Sequence, residues 1–255
     1  MIGLLKVLFF LPFLLYSCYS DLKTRRVPNK LWSFMLAPGM IFVIYDLINY
    51  GFSHLVHLLI SFVFIFGFVY ILLSFNAFGG ADAKLMIIIS IIMPAFPVID
   101  IFGYTLPLNP VPTINLFAFS VFANAVILTV IVPVGLFFYN LIKEPLSEVF
   151  NKPWYMFLGY KTSVYEPIPD YIRLLEEYEE TDEGIRAGFS RSGKKIDYET
   201  IEELRNYADK NLISKRIWVT PGLPFMIPIT VGFLTTVVYG DLIFYLTSNY
   251  IVPFI

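Results

Sequence analysis

The chain has 255 residues and a net charge of −2; it is 57% hydrophobic and 18% aromatic, and only 15% of its residues are charged. Soluble domains carry about 25% charged residues, and here the apolar residues fall in long blocks rather than alternating stripes, which excludes an ordinary soluble domain and points to an integral membrane protein. The single cysteine, Cys18, excludes an intrachain disulfide and a cysteine-based zinc cluster.

In chain order, apolar periodicity predicts a first span over residues 2–19, retained rather than cleaved because its charges follow the apolar run instead of preceding it. The second span covers 31–50 with a break at Pro38–Gly39, the third 55–75, and the fourth 85–101, interrupted by Pro94 and Pro97. A proline-rich linker, YTLPLNPVPT, leads to a fifth span over 114–142. A polar insert covers 143–216; the last span covers 217–240, and the tail after it falls short of a crossing. Within the insert, PDYIRLLEEYEE and YETIEELRNYADK have helical spacing, with FSRSGKK between them as a turn.

These segments predict an all-α integral membrane protein of about six transmembrane helices, with a mixed, partly helical insert before the last one. The domains are 1–142, membrane; 143–216, soluble insert; and 217–255, last span and tail. Lys23, Arg25, Arg26, Lys30, Lys84 and the cations of the insert all fall on one face, which the positive-inside rule makes cytoplasmic. Lys6 is the cation left over. Most acidic residues lie between Glu144 and Asp209, so the net charge is no guide to partners; no nucleic-acid partner is expected.

Ionisable residues near the membrane are costly and are functional candidates by default. Asp21 ends span one, and Asp82 opens span four after a round trip through spans two and three, so both come to the cytoplasmic face. Asp46 and Asp100 fall towards the other face and read as interfacial carboxylates near water. Two close carboxylates share one proton: the ionised member draws a proton from water and the protonated member polarises a carbonyl, without metal or cofactor. Gly79, Gly80 and Ala81 give the loop before Asp82 little bulk, so a peptide can approach it. The alternative on topology alone is that Asp82 caps a helix and Asp21 faces headgroup water. His54 and His57 form H-x-x-H without the glutamate of a zincin, so no metal role is expected of them.

DLKTRRVPN, Asp21 to Asn29, resembles the Asp-x6-Pro-Asn motif of type IV prepilin peptidases, and GGAD, Gly79 to Asp82, resembles the Gly-x-Gly-Asp motif of the intramembrane aspartyl proteases that include presenilin. Ala81 departs from the strict form. The looser version, the absence of paired cysteines and the insert before the last span resemble the archaeal preflagellin peptidase branch. The resemblance implies an aspartyl endopeptidase in a multi-pass cell membrane protein, with Asp21 and Asp82 as the catalytic pair on the cytoplasmic face. The implied substrates are preflagellin-like or pilin-like precursors carrying a short basic leader before a hydrophobic stretch that lies in the lipid bilayer. VTPGLPFMIPI, with three prolines, must have irregular backbone, tolerated where it lines a groove or faces protein. The competing reading is a transporter or binding module without enzymatic activity, whose ionisable residues would sit near the bilayer midplane in repeat-related positions.

Overall fold

A computed structural model describes residues 1–75, 77–101, 103–145, 147, 151–169, 171–181, 184–222 and 224–251. The chain divides into two compact units, Met1–Thr129 with Pro224–Ile255, and Val130–Leu223.

The first unit is mostly helical. Helix α1 (Ile2–Thr24) is 23 residues of almost unbroken apolar sequence, about 35 Å long and sufficient for a bilayer core of about 30 Å. Helix α2 (Asn29–Ser74) runs for 46 residues, about twice what a crossing needs. Gly51, at φ 61° and ψ −146°, divides it into two helical arms, 29–50 and 52–74. That backbone conformation suits a residue without a Cβ, and nothing lies within 4 Å of where one would be. Helix α3 (Gly80–Ile92) follows, then a two-stranded antiparallel ribbon of β1 (Ile99–Ile101) and β2 (Tyr104–Leu106). Helix α4 (Phe117–Thr129) packs on α8 (Met226–Val238), and α9 (Leu242–Leu246) continues into a π-helical turn, Thr247–Ile251. Phe10 of α1 and Phe117 of α4 meet Phe233 of α8 with ring centroids 5.3 and 5.4 Å apart, at the centre of the core.

The second unit contains α5 (Ile131–Lys143), a short α6 (Tyr155–Leu158), β3 (Tyr160–Ser163), β4 (Arg173–Thr181), β5 (Gly184–Lys195), α7 (Tyr198–Asp209) and β6 (Arg216–Thr220). The strands form one antiparallel sheet in the order β3-β6-β4-β5. Both faces of the sheet are covered: Leu174, Ile217 and Val219 pack in one apolar cluster, and Leu175 and Trp218 in another with Met156. Asn140 ties α5 to this sheet region by donating to the carbonyls of Met156 and Gly159, at 3.0 and 2.6 Å. The buried Glu176 accepts from Lys152 at 2.5 Å and from Tyr178 at 2.6 Å, and its charge, with burial first, pushes the Tyr178 hydroxyl pKa up.

The sheet corrects the all-α expectation, and the expected six spans are not confirmed. Three described helical runs are long and apolar enough to cross a membrane, Ile2–Thr24, Asn29–Ser74 and Phe117–Lys143, or four if Met226–Val238 and Leu242–Tyr250, bent by 57°, count as one broken span. The predicted fourth span stops at Ile92 instead of 101; α3 and α8 have 13 residues each, about 20 Å, too short to cross alone. The predicted last span begins instead as strand β6, and PDYIRLLEEYEE, expected to be helical, lies mainly in strand β4. The end of the tail, 252–255, lies outside the described residues. The apolar helices fit membrane association.

Candidate active site

Asp21 lies in the last turn of α1 and Asp82 in the first turn of α3. A left-handed Arg25, φ 54°, ends α1, its N–H donating to the Asp21 carbonyl at 3.0 Å. The Asp21 side chain faces the start of α8, where its Oδ2 accepts the Met226 N–H at 3.3 Å. First-turn N–H groups of a helix have no partner within the helix, so this donor is free to take a carboxylate. One turn earlier on α1, the Cys18 thiol lies 3.4 Å from the Met226 carbonyl and 3.1 Å from the Thr230 hydroxyl. Met226 thus receives α1 through both its N–H and its carbonyl.

Asp82 is 9% exposed. Its carboxylate takes a backbone hydrogen bond from Gly79, the N-cap residue of α3, and stands within the electrostatic reach of Asp21. A third-position side chain bonding back to the N-cap N–H is one half of a capping box. The capping role and a catalytic one are therefore compatible: the cap fixes the rotamer, and the nearby like charge makes joint ionisation unfavourable. Gly79 matters sterically, since a Cβ there would stand 2.6 Å from Asp82 Oδ2. Phe78, just before it, meets Phe225 edge-on at 5.5 Å, so the approach to α3 and the start of α8 touch directly.

An open groove of about 550 Å³ adjoins α1 here, lined by Tyr16, Tyr19, Lys23, Arg26 and Asn29 among others. Asn29, the last residue of the first sequence motif, accepts a hydrogen bond from Lys84, two residues beyond Asp82, at 2.7 Å. The two motifs are in this way joined by a side-chain hydrogen bond.

The remaining candidates lie elsewhere. Asp100 is exposed and accepts from Thr105 at 2.7 Å. Asp46, expected beside water, is instead 3% exposed and ion-paired with Lys6, with His54 Nε2 3.6 Å from the same oxygen. His57 Nε2 is 2.7 Å from the Asn115 carbonyl. Among the described residues no three His, Cys, Asp or Glu side chains converge as a metal-ligand set. Sequence reasoning missed the Met226 N–H; the available signal was the cluster of prolines in VTPGLPFMIPI, which leaves backbone donors without helical partners.

A family model described as the type IV leader peptidase family matches residues 8–134, and one described as archaeal peptidase A24 C-terminus type II matches residues 151–242. The preflagellin peptidase of Methanococcus maripaludis is 28% identical over 246 residues, covering 94% of this chain and 96% of that protein. Those of Methanocaldococcus jannaschii and Methanococcus voltae are each 28% identical, over 89% of this chain and 91% and 92% of their own lengths.

Proposed function

Since the chain belongs to the type IV leader peptidase family and is a peptidase, we propose that it removes the leader of preflagellin-like precursors, with Asp21 and Asp82 as an aspartyl pair at the cytoplasmic membrane face. The observation that carries this reading is the approach of the two carboxylates, one at the end of α1 and the other at the start of α3, into each other's field.

The ionised member of the pair takes a proton from water as the oxygen attacks the scissile carbonyl; the protonated member donates to the carbonyl oxygen, forming a neutral gem-diol. The carboxylate protonated in that step then gives its proton to the leaving amine, the C–N bond breaks, and a diol hydroxyl returns its proton to the pair. The Met226 N–H on Asp21 and the Gly79 N–H on Asp82 orient the two carboxylates for these transfers. A leader outside the bilayer and an apolar segment within it bring the scissile bond to the end of α1, where Asp21 stands.

Incubating the detergent-purified protein with a preflagellin tests the reading. A shorter product on a gel, whose new N-terminus begins at the hydrophobic segment, is expected. An intact precursor after prolonged incubation with folded enzyme contradicts it.

A further inference from the structure

The proposed catalytic pair does not account for a second buried pair of charges in the first unit. Lys6 on α1 is 7% exposed and Asp46 on the first arm of α2 is 3% exposed; the two are ion-paired beside a cavity of about 310 Å³. Both lie far along their helices from the site: Lys6 is fifteen residues before Asp21, about 22 Å along a helix. Desolvating such a pair costs about as much as its attraction returns, and apolar replacements of similar size are often equally stable. Its presence therefore calls for a role other than stability, and fixing register is the best-attested one.

Register is a real problem for α1. Between Lys6 and Ser17 the helix presents only aliphatic and aromatic residues, Pro12 and Tyr16. Without a hydrophobic gradient between helix and lipid, this stretch of α1 is held by van der Waals packing alone. A slip by one residue moves the helix about 1.5 Å along its axis and turns it about 100°. The ion pair opposes both movements.

Its partner helix makes the second connection. The same arm of α2 that holds α1 through Asp46 holds α3 at its other end, where Asn29 accepts from Lys84 at 2.7 Å. One continuous helical arm thus grips the Asp21 helix at one end and the Asp82 helix at the other. We propose that Lys6 and Asp46 are positioning residues, which set the depth and rotation of Asp21 so that its carboxylate meets Asp82. This inference rests on the aspartyl-pair reading above.

The test compares Lys6→Met/Asp46→Leu, the reversed pair Lys6→Asp/Asp46→Lys and Asp21→Asn, all purified in detergent and assayed on preflagellin. Misplacement of a catalytic group by about 1 Å costs about 100-fold. The neutral pair is expected to keep the wild-type melting temperature while kcat falls by about 10- to 100-fold and KM stays within about twofold. The reversed pair is expected to recover most of kcat. Wild-type kcat in the neutral pair overturns the proposal; so does a neutral pair that fails to fold, since the ion pair would then be holding the fold together. Asp21→Asn separates the two ideas. If it is inactive and the neutral pair is fully active, the aspartyl pair stands and only the positioning role falls; if Asp21→Asn cleaves normally, the aspartyl pair itself is wrong.

Discussion

Gly79 and Gly80 are adjacent in the second motif but differ in what surrounds them. A Cβ on Gly79 would meet Asp82 Oδ2 at 2.6 Å, whereas one on Gly80 would meet nothing within 4 Å. Gly79→Ala must displace the carboxylate or the loop, so leader cleavage is expected to fall at least about 10-fold, the loss expected for a misplaced catalytic group, at an unchanged melting temperature. Gly80→Ala is expected to cleave within about threefold of wild type, since alanine suits a first helical turn. Equal activity of the two variants contradicts the geometry around Asp82. Asp100→Asn, at an exposed carboxylate, serves as a neutral control. The sequence distinguishes Asp21 and Asp82 from Asp100 by topology, but it misassigns Asp46. The clue was Lys6, the cation outside every basic cluster: near the start of α1, it comes to the depth of Asp46, near the end of the next helical arm, after one reversal of the chain. A lone cation and a lone carboxylate at one depth read as two solvated groups until packing shows them together.

At the scale of elements, the long apolar helices were legible because lipid-facing sequence must be continuous, whereas the second unit was not. Strand β4 reads as a helix in the sequence because its first residues, Leu174 to Glu176, are buried on both faces of the sheet. Leu174 packs into one cluster and Leu175 into the other, so the alternation that marks a half-buried strand is absent. Ile217, Trp218 and Val219 in β6 gave the same continuous apolar run and were read as the start of a span. The turn read in FSRSGKK is instead irregular strand: β5 contains Gly193 at φ 70°, and the register shifts opposite it between Leu174 and Glu176. Two elements give direct tests. Helices α4 and α8 touch through backbone, since a Cβ on Gly232 would stand 2.7 Å from the Val121 carbonyl oxygen and 2.8 Å from the Ala125 nitrogen. Gly232→Val should therefore destabilise the protein by about 1–3 kcal/mol, seen as a lower melting temperature in detergent; an unchanged value contradicts this close contact. Helix α7 is capped by Asp197, which accepts from the Thr200 N–H at 2.9 Å. Bonds from Thr200 hold the Asp197 pKa below its ordinary value. A depressed carboxylate pKa adds stability above the unfolded-state value and loses it as pH falls through the folded one. In urea, wild type should outlast Asp197→Ala near neutral pH, and the difference should shrink as pH falls below the ordinary aspartate value of about 3.9 towards the lower folded-state one. A difference independent of pH would show that the charge on Asp197 does not act through the cap.

For the whole molecule, we propose from the distribution of Lys and Arg an orientation with Asp21, Asp82 and the 143–216 insert in the cytoplasm. In sealed right-side-out vesicles the insert should resist added protease and become susceptible once the membrane is permeabilised. Cleavage of the insert in sealed vesicles would invert this orientation and put the site on the wrong side for a leader held in the cytoplasm. The central claim is chemical and is tested most directly at the two aspartates. Preflagellin cleavage should be measured for Asp21→Asn and Asp82→Asn at matched levels of folded, membrane-inserted protein. Proton transfer by a positioned carboxyl is worth about 10²- to 10⁴-fold, and the two members act on one water, so each variant alone should lose activity by at least that factor and the double variant little more. Near-normal cleavage by either single variant would contradict the account.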